Sequence, residues 1–317
     1  MDRRTLLKVA AAAVGAPLTS LAMPAGAQAA GAYHVAVCEQ LKNQILIHPA
    51  GVDWTPANRV WSWTPPATVE NTWALLSDIK FRNTSAFGWV ALVTASGGKV
   101  GIVNMGDGDQ LLWSARPYGN PHAIERIPDI SAIVTASADP GFLSVYGPTD
   151  SDDPSTLTKV QEIQYQGAHG LWYDGSYLWA LGTWTIAKYR VTGDHLATRL
   201  EKVWGYVFPT AFNGHSLDAD YSDPAYLLIT GGGSVQRLHK ASGALTLMKP
   251  TAVGVKSFSR IASGESFWQQ AISGAEHWNS YIQFFDSAGN EGVRRPLTGY
   301  GYTGKFYKSR LSSVAFS

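Results

Sequence analysis

Residues 167–182 read GAHGLWYDGSYLWALG and residues 213–231 read NGHSLDADYSDPAYLLITG. Aligned on His169 and His215, both pass through glycine, histidine, a short strand, a turn of small and acidic residues, and a second, largely apolar strand. Asp174-Gly175-Ser176 and Ser222-Asp223-Pro224 lie where a hairpin must reverse, and Ser263-Gly264-Glu265 repeats the arrangement downstream. Working outward, the unit opens again at Lys80 in DIKFRN, His122 in NPHAIER, Lys256 in VKSFSR and Lys308 in YKSRL. The six openers follow one another at intervals of 41 to 52 residues. Short strands at such a period are the mark of propeller blades.

The strands inside the units agree with this reading. Second strands are WVALVTAS, AIVTAS, YLWALG, AYLLITG and SFWQQA; third strands are KVGIVNM, GFLSVYG, TIAKYRV, SVQRLHK and SYIQFFD. Fourth strands such as QLLWSA and KVWGYV are weaker. The last unit, KSRLSSVAFS, has an inner strand alone, whereas YHVAVCEQ, NQILIHPA and RVWSWTP near the start have no inner strand before them. Joined, they make one blade, which removes an exposed sheet edge. The expectation is an all-β, six-bladed β-propeller, six blades rather than seven, closed by strands from both termini, with residues 33–317 as one domain.

Composition sets the outer bounds. The chain has 317 residues, with 25 Lys+Arg against 24 Asp+Glu, so nothing favours a nucleic acid or an acidic membrane surface as partner. A single cysteine, Cys38, excludes a disulfide framework and any CxxC motif, and reads as a packed small hydrophobe. Residues 1–29 carry Arg3-Arg4, an Ala-rich apolar stretch and small residues up to Ala29, which resembles a twin-arginine export signal. That stretch is short and broken by Gly15 and Pro17, so no stable membrane anchor is expected. The mature protein is expected to be secreted or periplasmic, and a monomer.

In a propeller the openers of the inner strands converge on the axis. Lys80, His122, His169, His215, Lys256 and Lys308 are therefore expected around it, with Arg82, Arg126, Arg260 and Arg310 two or four positions further on the same strand face. The axis should be strongly basic, with Asp218 and Asp220 offsetting part of the charge. Two uses fit. His122, His169 and His215 can ligate one divalent ion, manganese, calcium or zinc, with His277, Gln269 or Gln270 as a fourth ligand. Without a metal, the same groups can hold an anionic ligand, a His acting as base and an Arg gripping a carboxylate. The bland alternative is a polar axis whose side chains only tie the blades together. Trp172 and Trp278 are sugar platforms or blade core, and His34, His48, His195 and His239 fall on outer strands or turns and read as exposed. No GxSxG elbow supports a Ser-His-Asp hydrolase.

The motifs GNPHAIE, GAHGLWYDGSYLWALG, NGHSLDADYSDPAYLL and EHWNSYIQFFD resemble those of a family of secreted bacterial β-propeller proteins with no assigned activity. The resemblance covers essentially the whole mature chain and implies the propeller. A looser likeness, of fold and of axial residue types, is to the propeller polysaccharide lyases, whose sites use His, Arg and sometimes a metal on uronic acids. It implies a lyase cleaving an acidic glycan or oligosaccharide by β-elimination. Arg82, Arg126, Arg260, Arg310 or a metal would neutralise the carboxylate, a His or Lys would be base, and Tyr307 or a His acid. Lys80, Arg126, Lys256, His277, Lys308, Trp172 and Trp278 would bind substrate. The alternatives are a non-catalytic propeller binding an anionic glycan or protein, and a metal-dependent hydrolase or lactonase.

Overall fold

Runs of four to nine residues, divided by tight turns, cannot bury both faces in one sheet and instead stack as separate small sheets. The computed structural model describes residues 33–312 apart from 69, 107, 251 and 273–275; residues 1–29, expected to be an export signal, lie outside the described residues. Among the described residues there are six four-stranded antiparallel sheets, five of which follow the chain from the axis outward. The inner strands are Leu76–Thr84, Pro121–Ile127, Gly170–Tyr173, Ser216–Ala219, Val255–Arg260 and Phe306–Leu311. The protein is thus the expected six-bladed propeller.

Closure is as the two chain ends require. Phe306–Leu311 pairs with His34–Glu39, which pairs with Gln44–Pro49 and then Trp61–Trp63. Six apolar clusters lie between adjacent blades, among them the one that joins Val35, Val37 and Phe306 of the closing blade to Phe267, Ile282 and Phe284 of the blade before it. Apolar burial therefore lies between blades all round the ring, and the polar groups of the inner strands are left facing the axis. Cys38 is buried in one of these clusters, as a packed hydrophobe should be.

His48 departs from expectation. It is fully buried, stacked 5.4 Å from Trp54, with its Nε2 3.1 Å from the Tyr300 hydroxyl. Trp54 and Tyr300 reach it from connecting segments, so its own strand gave no sign of the cover. Burial, helped by Arg59, pushes its pKa down to about 4 from the ordinary 6.5. The unfolded chain then binds more protons than the folded one below about 6.5, so stability is full above that pH and is lost as pH falls towards 4. Acidification across this window is expected to cost His48 alone about 2 kcal/mol. His48→Phe, which keeps the ring stack, should lose less stability between pH 7 and 4 than the wild type in chemical denaturation; equal losses would sink the assignment.

Candidate functional site

One mouth of the axial channel is built where the inner strands begin. Gly119, Gly167 and Asn213 take positive φ values of 90°, 64° and 49° in the turns that lead to His122, His169 and His215. Gly214 admits no side chain, since a Cβ there would stand 2.8 Å from the Gly182 carbonyl oxygen. The register breaks at Ser77, at His122 and at Lys256, and again opposite Tyr307 and Lys308. Such bulges re-aim a side chain out of the ladder. The result is an arc of rings and an amine: Tyr307 Oη lies 3.2 Å from His122 Nδ1, His122 stacks on His169 at 4.3 Å, His169 meets His215 edge-on at 5.3 Å, and Lys256 Nζ is 3.1 Å from His215 Nε2. Beside the arc opens a cavity of about 940 Å³, lined by His169, His215, Lys256, Gln270, His277 and Asn279, among others.

The protonation states follow from burial. His122 and His215 are held well below their ordinary pKa, first by desolvation and then by neighbouring cationic and imidazole groups. His169 is pushed down to about 3 by burial and by Lys308. All three imidazoles are neutral at pH 7. His169 Nδ1 lies 3.0 Å from the Gly167 carbonyl oxygen, to which it donates, so its Nε2 carries the free lone pair. Burial lowers Lys256 to about 8, which leaves it mainly charged at neutral pH. Tyr307 is raised by burial and by Asp78, and keeps its proton. The Nδ1 of His215 is buried without a hydrogen-bond partner.

Beneath the arc the channel is filled. Lys308 Nζ donates to the carbonyl oxygens of His122 at 2.8 Å and His169 at 3.3 Å, and lies 3.8 Å from Asp78. Arg310 grips Asp78 through Nε at 2.9 Å and Nη2 at 3.1 Å, and Nη1 donates to Ser216 Oγ at 2.5 Å. Lys80 and Arg82 share Glu125 at 3.1 and 2.6 Å, and Lys80 also donates to the Leu171 carbonyl. Asp218 accepts from Ser259 at 2.7 Å and lies 3.7 Å from Arg310. Burial alone would raise the carboxyls of Asp78 and Glu125, but Arg310 and Lys308 hold the first down and Arg82 and Lys80 the second. The axis is therefore a ladder of four cations and three carboxylates rather than a strongly basic channel.

The expected site residues are accordingly divided. His122, His169, His215, Lys256, Tyr307 and the exposed His277 meet at the first mouth. Trp278 is half-buried, 4.5 Å beneath Lys305. Lys80 and Lys308, expected to bind substrate at the rim, are buried in the ladder with Arg82 and Arg310. Ser77, not Lys80, holds the first blade's place at the rim, and Tyr307, not Lys308, the last blade's. Arg126 and Arg260 fall near the far ends of their strands, four residues and so about 13 Å along the axis from the rim positions. Trp172 is buried near that far end, 5.1 Å under the Arg82 guanidinium. The three histidines meet ring to ring, His122 stacked on His169 and the Lys256 amine against His215, and among the described residues no group of three or more His, Cys, Asp or Glu is placed to hold a metal ion.

Residues 22–264 match a family described as a family of unknown function, DUF6528. The chain belongs to that family. The DUF6528 match runs from ahead of the closing blade into the blade that begins at Val255. Among curated proteins nothing matches. Among solved structures, a chain of a mitotic checkpoint complex is 12% identical with a TM-score of 0.55, covering 87% of this chain and 83% of its own. A "putative 6-phosphogluconolactonase" from Bacteroides uniformis is 12% identical with a TM-score of 0.56, covering 84% of each chain. At such identity the likeness is one of fold.

Proposed function

We propose that the histidine mouth is an acid–base site for an acidic sugar, and that the protein is an exported lyase cleaving a uronate-containing glycan by β-elimination. The observation that supports this reading is the arc itself: a charged amine and two neutral imidazoles, Lys256, His169 and His215, on one cavity, with His122 stacked behind His169 and the protonated Tyr307 phenol behind His122. Elimination across C4 and C5 of a uronate needs a cation at the carboxylate, a base for the C5 proton and an acid for the departing oxygen. Lys256 is the cation. His169, its tautomer fixed by Gly167, offers Nε2 as base, and a carboxylate bound beside Lys256 would offset that charge and lift the imidazole towards a working pKa. Tyr307, 3.2 Å from His122 Nδ1, is the acid acting through that imidazole: His122 Nε2–H gives its proton to the departing oxygen while Nδ1 takes the phenol's.

A second reading, hydrolysis of a sugar lactone, draws on the fold shared with the Bacteroides uniformis protein; there His169 would activate water instead. Product analysis separates the two. Purified protein is incubated with acidic glycans and with sugar lactones, with and without chelator. Unsaturated uronates support the lyase, and ring-opened acids without unsaturation transfer the assignment to lactone hydrolysis. Glycan retention with neither product leaves a non-catalytic binder. Loss of turnover with chelator would give the histidines to a divalent ion and overturn the metal-free scheme.

A further inference from the structure

The far mouth of the channel holds a cavity of its own, about 560 Å³, lined by Arg82, Arg126, Trp172, Tyr173 and Tyr221, with Lys240 among its other residues. The ion-pair ladder of Lys80, Arg82, Glu125, Asp78 and Arg310 separates it from the histidine mouth. We propose that this second cavity binds a small ring-bearing carboxylate, gripped by Arg126 and laid against Tyr173, Tyr221 and Trp172.

Arg126 differs from the other axial arginines. Arg82 is spent on Glu125, Arg310 on Asp78, and Arg260 shares the fully buried Asp220 with Arg237. Arg126 has no carboxylate within ion-pairing distance among the described residues; its Nη2 donates to the neutral Ser131 Oγ at 2.9 Å. Ser131 takes φ 51° after the short turn Pro128–Ile130, which fixes that hydroxyl against one side of the guanidinium. The remaining N–H groups of a half-buried planar fork are made for two oxygens of one carboxylate. Burial and the neighbouring Arg82 both disfavour its charge, so an incoming anion would meet a poorly compensated cation. The acidic groups nearby are Asp129, Glu125, Asp174 and Asp220, with Asp150 and Asp152 lining a further, small cavity that Arg126 and Ser131 also border; Glu125 and Asp220 are already engaged, and Asp129, Asp150 and Asp152 are exposed. The aromatic wall supplies a flat apolar face on which either a pyranose or an aromatic ring can lie.

Ligand-observed NMR and calorimetry with galacturonate and with benzoate test this, each against its uncharged counterpart, galactose and benzyl alcohol. Wild type should bind at least one of the two acids and neither neutral compound at the same strength; which acid binds tells a sugar acid from an aromatic one. Arg126→Gln should weaken that binding about tenfold or more, and Arg126→Lys should restore only part of it. Because the histidine mouth is itself proposed to hold a uronate, only the binding that Arg126→Gln removes is assigned to this cavity, and turnover of an acidic glycan is measured in the same variant: lost acid binding with turnover kept separates this proposal from the proposed activity. Thermal melts confirm that each variant is folded. Binding of neither acid, equal binding of the neutral compounds, or full binding by a folded Arg126→Gln protein would each overturn the proposal.

Discussion

Asp78→Asn is expected to destabilise the folded protein by about 3–5 kcal/mol. Asp78 is wholly buried and takes both arms of Arg310, with Lys308 3.8 Å away. Asparagine keeps the shape but removes the charge, leaving a buried guanidinium with only the more distant Asp218, at 3.7 Å, to face it. Lys308 gives way more easily, because burial already lowers it to about 7 and it can shed its proton. The melting temperature should fall by roughly 10 °C. Adding Lys308→Met, which deletes one of the stranded cations, should recover part of the loss, as expected when the two charges are coupled. A fall of less than about 2 °C for Asp78→Asn would mean that water, not Asp78, screens the axis.

His169→Ala is expected to reduce kcat by about 10²–10⁴-fold on an acidic glycan, with the melting temperature close to that of the wild type. His169 is the imidazole that both borders the cavity and has its tautomer set by a backbone carbonyl. The same scheme fixes the alkaline side of the pH profile. Lys256 must carry its proton to hold a carboxylate, so the rate should fall as pH rises through about 8. Lys256→Arg should move that limb upwards, since a guanidinium keeps its proton there. An alkaline limb that stays in place in Lys256→Arg would take the carboxylate away from this residue.

The blades were legible because strand alternation and turn chemistry are local, and they repeat six times. The arrangement of the axis was only half legible. Alternation correctly turns Arg82, Arg126 and Arg310 inwards, but a shared face says nothing of depth, and four residues of strand carry Arg126 from one mouth to the other. The bulges at Ser77 and opposite Tyr307 leave no mark in composition, so Lys80 and Lys308 read as rim residues while both lie in the ladder. Asp78 and Glu125 carry no motif of their own, although they stand two residues from Lys80 and three from His122 in their strands. A buried row of cations requires carboxylates beside it, and that requirement was the signal that could have found them. The histidine arc, by contrast, was legible from three glycine- or proline-led histidines on consecutive blades.

The central claim is that the histidine mouth performs an elimination on a uronate. The most direct measurement is the ultraviolet absorbance of unsaturated uronate released from a panel of acidic glycans at neutral pH, by wild type and His169→Ala in parallel. The account predicts a steady rise for wild type on at least one glycan and almost none for the variant. No rise on any glycan, or an equal rise in both proteins, would contradict it.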